Sequence, residues 1–316
     1  MLKQRVITAL IMLAIVIPTL MTPSTWPFCL LAMMFMAAGA WEWARMNGLK
    51  DSGAIYFAGF FVLGSALSWY LGFLNMAIPN VWIIASGLWV LSSAWLLRAG
   101  VAGWLKIPIS LRRVSGLIAL WLAWLAVCQA RIQSVNFLMS VLCLVWAADT
   151  FAYFVGRTWG GKFSKNKLAP TISPGKSWEG VWGGVVGVFL LSFAWVWVDI
   201  HWLNVGLNPG HSLGQTGVTS IYTRLNSQHI VLMGVALLFL TAMSVVGDLI
   251  ESLIKRSAGV KDSSALLPGH GGVLDRRGHD VPSRSPQRTR HAEDGQVVRL
   301  GRAAGEHDLG DISADQ

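Results

Sequence analysis

The residues between Ser252 and Arg276 read S-L-I-K-R-S-A-G-V-K-D-S-S-A-L-L-P-G-H-G-G-V-L-D-R. Lys255, Arg256, Lys261, Asp262, His270, Asp275 and Arg276 crowd onto the end of an apolar run, around the glycine-rich turn P-G-H-G-G. Cations beside spaced carboxylates and a flexible turn suit a metal-bound polyphosphate. Just upstream, Asp248, Glu251, Ser252 and Lys255 follow i, i+3, i+4, i+7, which places them on one face of a helix. Their neighbours are Leu and Ile, so this face should look into a protein-lined cavity rather than at lipid. Asp275 could return to it through the turn, and two carboxylates converging on a divalent cation is a common way to hold phosphates for transfer. His270 suits a phosphate donor or an acid–base group; the plainer reading is a turn histidine that packs locally.

A second polar block runs from Arg157 to Glu179, R-T-W-G-G-K-F-S-K-N-K-L-A-P-T-I-S-P-G-K-S-W-E. Arg157, Lys162, Lys165, Lys167 and Lys176 make it basic. Such a loop is often only a topogenic charge bias or a contact for anionic headgroups. Its G-K-S is not a phosphate-binding Walker loop, because the G-x-x-x-x-G-K-[ST] spacing is absent. Ser173 and Lys176, in the turn S-P-G-K-S, remain candidates to contact phosphate. Asp149, in W-A-A-D-T-F-A-Y-F-V-G-R, is a carboxylate within an apolar run, where insertion costs about 2.5–3.5 kcal/mol and a functional reason is expected. Glu42, in A-W-E-W-A-R, has a simpler reading as the helical partner of Arg45.

These groups need apolar elements to position them. The chain has 316 residues, is 54% hydrophobic and only 13% charged, with mean hydropathy +0.53. Soluble domains carry roughly a quarter charged residues. The expected fold is all-α: a polytopic membrane helix bundle with about eight spans, near 6–22, 26–46, 54–74, 80–97, 114–130, 135–156, 179–200 and 229–253. Pro18 and the lack of a small-residue cleavage site favour a retained first helix over a signal peptide. Cys29, Cys128 and Cys143 sit in apolar stretches and read as buried helix residues rather than disulfide or metal ligands.

With the N-terminus in the cytoplasm, 16 of the 18 Lys and Arg up to residue 261 fall on the cytoplasmic side, leaving Arg131 and Arg224 outside. The net charge of +9 is therefore an orientation signal in a multi-pass membrane protein, with the polar blocks facing the cytoplasm, and not a nucleic-acid footprint. The outer loop near 201–228 shows no chemistry. After Arg276 the composition changes: 40 residues contain no Phe, Trp, Tyr or Lys. Two parts follow, an integral-membrane domain over 1–276 and an atypical polar tail over 277–316 that reads as disordered.

Together these blocks resemble the phosphatidate cytidylyltransferase (CDP-diacylglycerol synthase) family. Its signature S-x-x-K-R-x4-K-D-x-x-x-x-x-P-G-H-G-G-x-x-D-R is present without a gap from Ser252 to Arg276. The resemblance extends to G-D-L-I-E-S at Gly247–Ser252, D-T-F-A-Y-F-V-G-R at Asp149–Arg157, L-A-P-T-I-S-P-G-K-S-W-E-G at Leu168–Gly180 and A-W-E-W at Ala40–Trp43. It implies an enzyme that uses CTP and phosphatidate, with Mg²⁺, to make CDP-diacylglycerol and pyrophosphate. By position it implies metal-binding roles for Asp248 and Asp275, and catalytic roles for Lys255, Arg256, Lys261, Asp262 and His270. Asp149, Arg157, Ser173, Lys176, Glu179, Ser252 and Arg276 are expected to bind substrate. A second, monovalent cation and a homodimer are compatible with these residues.

The resemblance stops at Arg276. The family usually continues with a short polar step, commonly I-D-S, and a last apolar helix; here Arg277-Gly278-His279-Asp280 opens the polar tail. A reading-frame change would produce so abrupt a switch, and a genuine divergent tail would leave an inactive or regulatory relative. A transporter is the reading from another class, with Asp149 and Asp248 on a cation path. It is disfavoured because the polar groups gather at one membrane edge and no inverted repeat is present. A CTP-dependent lipid kinase, or a different lipid acceptor, also fits the motif.

Overall fold

Lipid offers no hydrogen bonds to a backbone, so apolar runs of this length fold as helices that satisfy themselves. The computed structural model describes residues 2–164, 167–202, 219–260 and 274. In order come α1 (Leu2–Met21), α2 (Trp26–Met46), α3 (Asp51–Tyr70), α4 (Pro79–Lys106), α5 (Ile109–Gln133), α6 (Val135–Trp159), α7 (Trp178–His201), α8 (Ile221–Gln228) and α9 (Ile230–Ser257). Each of the eight expected spans is a helix. Seven of them, α2 to α7 and α9, are long and apolar enough to cross a membrane. The apolar part of α1, Val6–Met21, is shorter. The short helix α8 was not expected.

Large apolar side chains remain exposed on the long helices, such as Phe60 and Leu63 on α3, Ile83 and Leu91 on α4, and Leu190 and Phe193 on α7. On a soluble protein this would be an aggregation surface; on this bundle it faces lipid. The chain is a membrane protein. One core joins α2, α3 and α5 through Cys29, Phe61, Trp124, Leu125 and Cys128. The three cysteines are free thiols.

Two glycine features shape the site end. Gly100 in α4 has φ of +66°, a region glycine enters without Cβ strain. The break turns the last residues of α4 so that Trp104 is buried with Leu96, Ile172, Ile250, Leu253 and Ile254. On α7, Gly183, Gly184 and Gly187 let α6 approach closely. A Cβ on Gly183 would lie 2.4 Å from Cβ of Val155, and one on Gly184 would lie 2.9 Å from the carbonyl oxygen of Ala148. Small residues drive such packing in lipid because backbone proximity replaces the hydrophobic effect. Gly183→Ala should destabilise the protein by about 1–3 kcal/mol through overpacking, read as a lower melting midpoint in detergent. Gly234→Ala on α9, where a Cβ meets nothing within 4 Å, should leave the midpoint unchanged or raise it.

At the opposite end from the basic loops, α8 docks by a buried polar knot. Asp199 at the end of α7 accepts from Asn136 Nδ2 at 2.9 Å, Ser220 N at 3.1 Å, and the hydroxyls of Ser220 and Thr223, both at 2.5 Å. Tyr222 donates to the carbonyl oxygen of Ser140 at 2.8 Å. Burial raises the Tyr222 phenol above its ordinary pKa and lowers that of Arg224.

Candidate active site

The last turns of α9 separate two faces. Leu249, Ile250, Leu253 and Ile254 are buried, while Asp248, Glu251, Ser252 and Lys255 lie on the partly exposed side. Lys255 Nζ donates to Glu251 Oε1 at 2.9 Å, the i, i+4 contact the spacing predicts. The side chains of Asp248 and Glu251 are 19% and 20% exposed, so protein rather than lipid or open solvent encloses most of this face.

The protein group that reaches Asp248 comes from the loop between α6 and α7. Lys176 Nζ forms an ion pair with Asp248 Oδ2. Three features deliver it there. Ile172 is buried in the same apolar cluster as Ile250, Leu253 and Ile254, which pins the loop on the back of α9. Turn hydrogen bonds fold the chain around it: Ser173 N to Ala169 O at 2.8 Å, Lys176 N to Ser173 O at 3.2 Å and Leu168 N to Lys176 O at 3.2 Å. Ser177 then caps α7, its side chain accepting from Gly180 N at 3.2 Å. Lys176 is thus held between an apolar anchor and a helix cap.

Glu179, in the first turn of α7, is a clasp. Its Oε1 accepts the backbone N–H groups of Phe163 and Ser164 at 3.1 and 2.7 Å, closing the start of the basic loop over the α7 terminus. Arg157 donates to the Tyr153 hydroxyl at 2.6 Å, one turn back on α6. Asp149 lies on α6 as an exposed residue, next to Ala148, which packs on α7. Arg256 is exposed at the end of α9.

The structure therefore joins Lys176 of one sequence block to Asp248 of another, and Glu251 to Lys255. Lys261, Asp262, His270, Asp275 and Arg276 lie outside the described residues, as does the polar tail from 277. Leu274 is described. Its N–H donates to Glu42 Oε2 at 2.9 Å. This corrects the simple reading of Glu42: Arg45 pairs with Asp51 at 3.4 Å, and Glu42 turns inward and is fully buried. Sequence reasoning also missed Ile172, whose only signal is one β-branched apolar residue inside a basic loop.

An acidic face on one helix, met by a lysine from a loop that also carries Lys162 and Lys167, has the mixed charges that suit a polyanion with its counter-cations. The sequence profile of the cytidylyltransferase family matches residues 3–277. The chain belongs to that family. The match covers α1 to α9 and ends at the start of the polar tail. The phosphatidate cytidylyltransferase of Haemophilus influenzae is 34% identical over 295 residues, covering 87% of this chain and 93% of the relative. That of Pseudomonas aeruginosa is 36% identical over 287 residues, covering 87% and 92%. That of Staphylococcus epidermidis is 36% identical over 149 residues, about half of each chain. In this cytidylyltransferase the Lys176–Asp248 pair brings two of the blocks that carry the resemblance into contact.

Proposed function

We propose that the chain transfers the cytidylyl group of CTP to phosphatidate, releasing CDP-diacylglycerol and pyrophosphate, at the cytoplasmic face of a bacterial inner membrane. The observation that carries the reading is the Lys176–Asp248 pair, in a chain whose full-length relatives are named for this reaction. The orientation rests on the distribution of Lys and Arg.

In the reaction a phosphate oxygen of phosphatidate attacks the α-phosphorus of CTP. The new P–O bond forms as the bond to the α,β-bridging oxygen breaks, and its electron pair leaves with pyrophosphate. The nucleophile is already an anion and needs no strong base. Repulsion between two polyanions dominates the barrier, so positioning and fixed cations supply most of the catalysis. Lys176 would lie against CTP phosphates, with Lys255 and Arg256 at the mouth of the site. Ser252 and Ser173 would orient oxygens, and Glu179 holds the loop that carries the other lysines. Phosphatidate would enter sideways from the leaflet with its acyl chains in lipid.

The residues present fit Mg²⁺ in part. Among the described residues no group of three or more His, Cys, Asp or Glu could hold a metal. Mg²⁺ is usually held by only one or two carboxylates plus substrate phosphates, and Asp248 offers hard oxygens where a protein cation already sits. Asp248 and Asp275 would hold the ion, which supplies charge neutralisation at the phosphates. A monovalent cation beside it belongs to the same proposal.

The polar tail follows the end of the family match. A reading-frame change at codon 276 accounts for it, and a repeat read across that codon in the same frame would refute this. The function itself is tested with purified full-length protein, phosphatidate and CTP labelled at either the α- or the γ-phosphate. The expected result is α-label in lipid and γ-label in pyrophosphate. γ-Label in lipid would make the protein a CTP-dependent lipid kinase, and no label in lipid at saturating Mg²⁺ would defeat both readings.

A further inference from the structure

We propose that Glu42 of α2 is a positioning residue that fixes Leu274, the residue before Asp275 in the Ser252–Arg276 signature. The inference rests on the proposed function for its catalytic consequence. Glu42 is fully buried, and its Oε2 accepts the Leu274 N–H at 2.9 Å across 232 residues of sequence. The side chain of Leu274 is docked on the same face. A Cβ on Gly39, one turn before Glu42, would lie 3.2 Å from Leu274 Cδ2, so the leucine occupies space that glycine leaves open. Backbone and side chain of one residue are therefore both held by α2.

The helix that holds them is itself linked to α9 through Trp104 of α4. Trp43, next to Glu42, lies against Gly116 of α5, where a Cβ would come within 2.0 Å of the indole. Its Nε1 donates to Arg112 O at 3.0 Å. Trp43 also meets Trp104 edge-on, with centroids 5.8 Å apart and planes at 82°. Trp104 is buried with Ile250, Leu253 and Ile254, the apolar back of the helix that carries Asp248. Adjacent residues of α2 thus look two ways: Trp43 toward the α9 cluster and Glu42 toward Leu274. A burial site for a carboxylate in a membrane bundle is costly without hydrogen-bond donors. One donor here is the Leu274 backbone N–H, an interaction that fixes chain position rather than side-chain identity.

The test uses full-length protein in detergent and reads hydrogen exchange at the peptide containing Leu274 together with the transfer rate. In Glu42→Ala, exchange there should accelerate at least about tenfold with α2 and α9 unchanged. The transfer kcat should fall at least about tenfold, since a displacement near 1 Å can cost about 100-fold. Glu42→Gln retains an acceptor oxygen and should restore both. If Glu42→Ala does not purify, Gly39→Val, which fills the notch beneath Leu274, should give the same acceleration. Unchanged exchange at Leu274 in these variants overturns the proposal, as does a Gln variant as slow as the Ala variant. A wild-type protein that transfers no label defeats the proposed function instead, and the exchange result still decides the anchoring.

Discussion

Asp248→Asn is expected to lower CDP-diacylglycerol formation by about 10²–10³-fold, the range seen when one electrostatic contact to a developing charge is removed. The substitution keeps the volume and hydrogen-bonding shape of the side chain and removes its charge. Two roles would be lost together, because the same carboxylate pairs with Lys176 and would hold Mg²⁺. Lys176→Met separates them. If Asp248 acts only by placing Lys176, the double variant should be no slower than either single one, as expected for groups acting as a unit. If Asp248 also binds the ion, the Mg²⁺ needed for half-maximal rate should rise in Asp248→Asn but not in Lys176→Met. An Asp248→Asn enzyme within about threefold of wild type at saturating Mg²⁺ would remove Asp248 from the mechanism.

The contrast between Asp248 and Glu42 shows which parts of the site were legible in the sequence. Asp248, Glu251, Ser252 and Lys255 obey a local periodicity, and a helix converts that spacing directly into one face. The Lys255–Glu251 contact then follows. The eight apolar runs were legible for the same reason, because span length and hydropathy are local properties. The Lys176–Asp248 pair was legible only as two separate blocks. Joining them requires Ile172 to sit on the back of α9, and no rule of spacing links residue 172 to residues 250–254. Glu42 was less legible still: its described donor is a backbone N–H, which any non-proline residue supplies. The resemblance implies that Glu179 binds substrate; its clasp on Phe163 and Ser164 was not legible, because both donors are backbone N–H groups.

Asp199 was missed for a related reason. Near the C-terminal end of α7 it is a single polar residue with no spacing pattern around it, and the loop beyond it shows no chemistry. Its meaning appears only when α8 folds back: two hydroxyls, an amide side chain and a backbone N–H then point at one carboxylate. The groups come from α6, from Ser220, which caps α8, and from α8 itself, so the knot ties the α6–α7 pair to α8. Helix α8 also packs on α9 through the Leu144, Val188, Tyr222, Met233 and Leu237 core.

Asp199→Ala should therefore act on stability rather than chemistry. Each orphaned buried donor costs about 1–3 kcal/mol. The two hydroxyls can turn to other acceptors and soften the loss, so the net effect should be about 2–4 kcal/mol. The expected observation is a detergent melting midpoint lower by several degrees, with the transfer rate per folded molecule unchanged. Asp199→Asn keeps one acceptor oxygen and should fall between wild type and Ala. A fully stable Ala variant would mean that α8 is held by its apolar contacts alone. A stable but inactive one would mean that the C-terminal end of α7 communicates with Lys176 and Glu179 at its start, since α7 is one continuous helix from Trp178 to His201.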